Sequence, residues 1–208
     1  MTNLAHKIRD KLSELQSEIE ADLDEKRRRF QYHLEQRKVI FEQEALALQR
    51  KAKMGLIRYF RGSRLLVIIT APIIYSMIVP IVICDAFVSA YQGICFPIYG
   101  IPKVKRREYV VMDRKYLAYL NLIEKMNCIY CEYANGVIAY VREVASRTEQ
   151  YWCPIKHAKS LKDPPERYYN FLEYGDSTEF HEKWEKQRDK CRACETPATC
   201  AKKTDNNK

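Results

Sequence analysis

Three patterns of apolar and polar positions succeed one another along this chain. In the first, Leu4, Ile8, Leu12, Leu15, Ile19 and Leu23 recur at spacings of three and four, which lines one face of an α-helix. The stripe weakens across Lys26 to Arg29 and resumes at Phe30, Leu34, Phe41, Ala45 and Leu48. No Gly or Pro occurs before Gly55, and charges of both signs fill the other positions. This predicts a charged amphipathic, coiled-coil-like helix over residues 1–62, loosened at Gly55 and Gly62. Its apolar face is narrow and needs cover, by self-association or by another protein surface. The heptad is too irregular to set a strand number.

The second pattern is nearly continuous. From Leu65 to Tyr99 the chain reads LLVIITAPIIYSMIVPIVICDAFVSAYQGICFPIY, with Asp85 as its one charge. A straight helix of that length measures about 52 Å, against a hydrocarbon core of roughly 30 Å. Residues 63–101 are therefore expected to be a membrane segment, and Pro72, Pro80, Gly93 and Pro97 offer bends. Two topologies fit. Either Leu65 to Ile83 crosses once, or the chain turns near Cys84–Asp85 and returns as a hairpin. Basic residues flank both sides: Lys51, Lys53, Arg58, Arg61 and Arg64 before, Lys103, Lys105, Arg106 and Arg107 after. The positive-inside rule then favours the hairpin, with both termini cytosolic and these residues facing lipid headgroups. Asp85 would sit at the turn in water or headgroups, or act as a proton or ion site.

The third pattern predicts a small helical domain over 102–187. Tyr109 to Met112 reads as extended, and Asp113 as the cap of a helix with Leu117, Leu120, Ile123 and Met126 on one face. A turn is expected at Cys128, Cys131 and Asn135–Gly136. A second helix would turn Val137, Val141, Val144, Thr148 and Trp152 inward and Arg142, Glu143, Arg147 and Glu149 outward. Pro154 would end it and open a short third helix, which Asp163–Pro164–Pro165 breaks. Tyr168, Tyr169, Phe171, Tyr174, Phe180 and Trp184 are candidate packing residues. Residues 188–208 are polar and Lys-rich and read as a disordered tail. The fold class expected is all-α.

Charge alters this picture only in its choice of partner. The 208-residue chain carries a formal +9, which on its own would suit nucleic acid. The basic clusters abut apolar sequence instead, which points to membrane lipid as partner and away from nucleic acid.

Cysteine adds candidate chemistry. Eight cysteines fall in bunches, and no secretory signal opens the sequence, so reduced thiols are expected. Residues 128–157 place Cys128 and Cys131 as C-x2-C, then Cys153 and His157 as C-x3-H. Three thiolates and an imidazole suit tetrahedral zinc, with iron or a redox-active thiol pair as the alternative and small buried cysteines as the plain reading. If Val137 to Trp152 were one unbroken helix of roughly 24 Å, the two ligand pairs could not share an ion within one chain. An antiparallel helix pair would bring Cys153 and His157 toward Cys95 instead. Cys191, Cys194 and Cys200, with His181, read as incidental thiols of the tail, and His6 and His33 as solvated. Glu132, not His, follows Cys131, so covalent haem is not indicated. No Gly-rich phosphate loop, HExxH or nucleophile elbow occurs.

The block NCIYCEYANGVIAYVREVASRTEQYWCPIKHA, with ICFPIYGIPKVKRREY upstream, resembles a family of uncharacterised small bacterial membrane-associated proteins. The resemblance runs from about Arg58 to Tyr174. It implies a bacterial inner-membrane placement and no particular activity, cofactor or partner. Taken together, these readings describe a membrane-anchored, non-enzymatic adaptor or complex subunit with a metal-stabilised cytosolic domain. A membrane-bound redox accessory protein using the same cysteines is the alternative.

Overall fold

The computed structural model describes residues 2–30, 32–35, 38–55 and 65–193. Arg58, Arg61, Gly62 and Arg64 of the basic approach, and Cys194 and Cys200 of the tail, lie outside the described residues. Among the described residues the fold is all-α with one pair of short antiparallel strands. Two compact units divide the chain: Met1–Arg64 with Asp113–Ile129, and Leu65–Met112 with Tyr130–Lys208. Asp113–Ile129 thus groups with the N-terminal unit.

In the first unit, α1 runs Thr2–Arg29 and closes on Lys26, Arg27, Arg28 and Arg29, whose charges suit the negative end of a helix. Lys26 and Arg27 pair with Asp22 and Asp24 one turn back, at 2.6 and 2.5 Å. The apolar stripe resumes as helix only at Ala45 and Leu48, while Leu34 and Phe41 fall on strands. Strands β1 (Tyr32–Glu35) and β2 (Lys38–Phe41) pair antiparallel, with Tyr32 opposite Phe41 and their rings 5.4 Å apart. Val39, Ile40, Phe41 and Tyr32 are branched or aromatic residues that suit a pleated surface, and the aromatic pair secures the register. Helix α2 (Gln43–Lys51) follows, and Gln49 Oε1 accepts the Ala118 amide at 2.9 Å.

Asp113 makes no capping bond and opens only the 3-10 turn Arg114–Tyr116. Asn121 caps the long helix instead. Its Oδ1 accepts the Glu124 amide at 3.0 Å, and Glu124 Oε2 accepts the Asn121 amide at 2.8 Å, a reciprocal capping box.

In the second unit, α3 (Leu65–Ser76) and α4 (Ile78–Tyr99) succeed each other with only Met77 between. Pro80 explains that joint. It has no N–H for the Ser76 carbonyl, and its ring crowds that group. The chain through Cys84–Asp85 is uninterrupted helix within α4, so the turn that a hairpin requires is not formed. Ile68–Tyr99 is one run of 32 residues, long and apolar enough to cross a membrane. Gly100, at φ +72°, ends α4 in the left-handed conformation, and the Ile101 amide reaches back to the Phe96 carbonyl at 2.8 Å.

Helix α5 (Leu122–Trp152) is likewise unbroken, so no turn forms at Cys128, Cys131 or Asn135–Gly136. Gly136 is there for a different reason. A Cβ at that position would lie 2.8 Å from both the Tyr109 carbonyl oxygen and the Val110 Cα. Tyr109, expected to begin an extended piece, instead ends the helical turn Arg106–Tyr109, and the backbone leaving that turn rests directly on α5, where only Gly leaves it room. Gly136→Ala is expected to destabilise by about 2 kcal/mol, because the atoms it meets are backbone and cannot swing aside. A thermal melt of the detergent-solubilised protein checks this, and an unchanged or raised Tm would contradict the close approach.

The core of this unit is Phe96, Ile101, Val104, Tyr140, Val144, Tyr151 and Cys191. The inward face of α5 is thus Val137, Tyr140, Val144, Arg147 and Tyr151, while Trp152 is 49 % exposed. Arg147 points inward, against expectation. Pro154 opens no helix. Ile155 bridges Leu172 in extended conformation, and the Leu172 amide donates to the Pro154 carbonyl at 2.7 Å. Tyr168 and Phe171 are buried as expected, but Tyr169 and Tyr174 are exposed. Helix α6 (Phe180–Ala193) extends past residue 188, where the tail was expected to begin.

Candidate functional site

Inside α4 the polar residues Asp85, Ser89 and Gln92 fall at spacings of four and three, on the face that also carries Phe96. That face meets α5, and polar groups on it must find partners there or cost several kcal/mol each. They do. Arg106, from the single helical turn Arg106–Tyr109, clasps Asp85 in bidentate fashion, with Nε to Oδ1 at 2.9 Å and Nη2 to Oδ2 at 2.6 Å. Tyr133 donates its hydroxyl to Oδ2 at 2.8 Å, and Ser89 to Oδ1 at 3.4 Å. The guanidinium also lies 6.0 Å from the centre of the Tyr133 ring.

The network continues inward. Ser89 Oγ stands 3.3 Å from the Tyr140 hydroxyl, which accepts a bond from Gln92 Nε2 at 2.6 Å. The Gln92 amide also pairs with the main chain of Val104, donating to its carbonyl at 3.1 Å and accepting its N–H at 2.9 Å. Burial and the bond to Asp85 raise the Tyr133 phenol above its ordinary pKa, which keeps it protonated as a donor. Asp85 is therefore neither at a turn nor a lone carboxylate. Its counter-ion is Arg106, which was expected among the lipid-facing basic residues.

The other flanking residues behave differently. Lys103, Lys105 and Arg107 are exposed, as are Lys51 and Lys53 in the other unit. A second buried cluster ties α5 to the loops around it. Glu143 Oε1 accepts from Arg147 Nε at 2.8 Å and from Arg167 at 3.3 Å. Arg147 also reaches the Pro102 carbonyl at 2.6 Å, and Arg167 reaches Gln150 Oε1 at 2.9 Å.

The structure does not bring the four expected metal ligands together. Cys128 and Cys131 stand on α5, and Cys153 follows its last residue. The 22-residue step from Cys131 to Cys153 corresponds to roughly 33 Å of helix, so one chain cannot close a tetrahedral zinc or iron site with this set. The His157 ring stacks on Tyr168, with centroids 5.7 Å apart, and its amide donates to the Tyr168 hydroxyl at 2.7 Å. No antiparallel helix pair forms: α5 runs parallel to α4, with Tyr133 on Asp85, Tyr140 on Gln92 and the Tyr151 ring stacked on Tyr99 at 5.3 Å. Among the described residues no three His, Cys, Asp or Glu side chains are grouped to hold a metal ion.

Cys191 is a core residue and not an incidental thiol of the tail. It is fully buried, its Sγ lies 3.6 Å from the Arg147 carbonyl, and burial pushes its pKa up, which keeps it a neutral thiol.

The partnership of Asp85 could have been found in the sequence. Asp85, Ser89 and Gln92 share one helical face inside an otherwise apolar run, the mark of a face turned to protein. Which cation answers Asp85 could not have been read there, because Arg106 is twenty-one positions away beyond a chain reversal. Compared with protein families, curated proteins and solved structures, the chain matches none.

Proposed function

We propose that this chain is a membrane-attached adaptor. The run Leu65–Tyr99 holds it to the bilayer, the helical domain around Tyr140 stands on the cytosolic side, and α1 is offered to a protein partner. The observation that carries the reading is an uncharged, exposed apolar surface along that run. It includes Ile69, Ile73, Ile83, Phe87, Ile94 and Ile98, the last 74 % exposed. Water-soluble surfaces rarely carry a continuous apolar patch of this extent, and hydrocarbon is the solvent it suits.

Two details support attachment. Thr70 and Ser76 bond their hydroxyls to the Leu66 and Ile73 carbonyls within α3, leaving no donor for water. Lys103, Lys105 and Arg107 lie exposed on the reversed segment that runs back along α4, with Val104 bonded to Gln92 and Arg106 to Asp85, and anionic headgroups would meet them there. The bacterial inner membrane is the membrane that the family resemblance names. Cys131 and Cys153 are exposed free thiols, which suits a reducing side.

Alkaline carbonate washing is expected to leave the protein in the membrane pellet, with release only by detergent. Recovery of the wild type in the wash would overturn attachment. Lys at Ile69, Ile73, Ile83 and Phe87 together is expected to shift the protein out of the membrane fraction, since each cation in hydrocarbon costs about 3 kcal/mol. A membrane-impermeant maleimide should label Cys131 and Cys153 in inverted vesicles and not in intact cells. The reverse pattern would place the domain on the opposite side.

A further inference from the structure

Helix α1 contains an internal repeat. Residues 4–14 read LAHKIRDKLSE and residues 15–25 read LQSEIEADLDE, with Leu, Ile, Leu and Glu at the same four places in each. Eleven residues make three turns plus about 20°, so the apolar positions of the second unit fall almost directly over those of the first. α1 runs as one helix through both units, and Leu15, Ile19 and Leu23 of the second are 53, 59 and 41 % exposed. A third unit would begin at Lys26, where the leading Leu is lost, and the helix ends three residues later at Arg29. Repeat and helix stop together.

We infer that α1 pairs with the α1 of a second copy of this chain. A stripe recurring every eleven residues drifts in the right-handed sense around its helix, whereas a heptad stripe drifts the other way. A partner that follows the stripe over its length therefore needs the same period, and a second copy supplies it with identical extent. Charge permits the pairing. Thr2–Arg29 carries seven Lys or Arg and seven Asp or Glu, so two copies meet without net repulsion. The same count argues against a lipid surface as the occupant. Between Glu14 and Glu25 there are six acidic residues and no basic one, and anionic headgroups would repel that stretch. Helices this short associate weakly when free. Confinement to one membrane raises the effective concentration of the copies. The inference deepens the partner role proposed for α1 and rests on it.

The test uses the full-length protein in proteoliposomes, with energy transfer between donor- and acceptor-labelled copies. Three variants separate period from composition. An Ala inserted between Glu14 and Leu15 turns the second unit by about 100°. A further LQSEIEADLDE inserted after Glu25 preserves the phase. Ile19→Asp places a charge on the stripe. The wild type and the added repeat are expected to pair, while the single-Ala insertion and Ile19→Asp weaken pairing by on the order of 100-fold, because buried aliphatic contacts are lost. A monomeric wild type, or pairing undiminished by the single-Ala insertion, would overturn the inference. So would a monomer whose α1 is protected from protease by anionic vesicles, which would assign the stripe to lipid. Carbonate extraction reads attachment separately: protein that stays in the pellet without pairing refutes this inference alone.

Discussion

Tyr140→Ala is expected to lower unfolding stability by about 4 kcal/mol, the largest loss from any single side chain in the second unit. The ring is fully buried between Phe96, Val104 and Val144, and its removal leaves a cavity in the middle of the core. Its hydroxyl is also the acceptor for Gln92 Nε2 at 2.6 Å. Tyr140→Phe keeps the ring and loses only that acceptor, while Gln92 retains both bonds to Val104. Its cost should be close to 1 kcal/mol. Denaturant titration of the protein in a mild detergent, followed by near-ultraviolet dichroism, measures both. A loss below 1 kcal/mol for the alanine variant would show that α4 and α5 do not pack through this residue.

Asp85→Ala is expected to cost roughly 3 kcal/mol, because it strands the Arg106 guanidinium and the Tyr133 hydroxyl together. The Asp85 side chain is only 10 % exposed and accepts from three residues, whereas Arg106 is 41 % exposed and keeps some access to water. The asymmetry gives a second expectation. Arg106→Leu leaves a nearly buried carboxylate and should cost at least as much. Asp85→Leu with Arg106→Leu removes both charges and should recover a good part of the loss. Equal and additive losses in that cycle would mean that the two residues are not coupled, and the clasp would have to be abandoned.

Much of this protein is legible without coordinates. The stripe of α1, the apolar run from Leu65 to Tyr99 and the all-α class follow from local periodicity, and those signals act within a few turns of chain. The same local logic misplaced what depends on distant contacts. Phe30 to Leu48 continued a helical stripe, yet Tyr32–Glu35 and Lys38–Phe41 pair as strands, where Tyr32 and Phe41 gain each other as partners. Gly136 looked like a turn signal, whereas the Tyr109–Val110 backbone lying against α5 makes it a packing residue in an unbroken helix.

The site divides in the same way. Its isolation in an apolar run singled out Asp85, but as a solvated turn residue or an ion site. Its pairing with Arg106 was not legible, since chain reversal at Gly100 creates the contact. The Cys128, Cys131, Cys153 and His157 set satisfied the spacing of a metal site and failed on the length of one helix. Composition and periodicity therefore determined the all-α class and the long apolar run from Leu65 to Tyr99. Tertiary structure decided where charges are compensated and that Cys191 is buried in the core, because those outcomes turn on residues brought together from distant parts of the chain, and no local pattern encodes them.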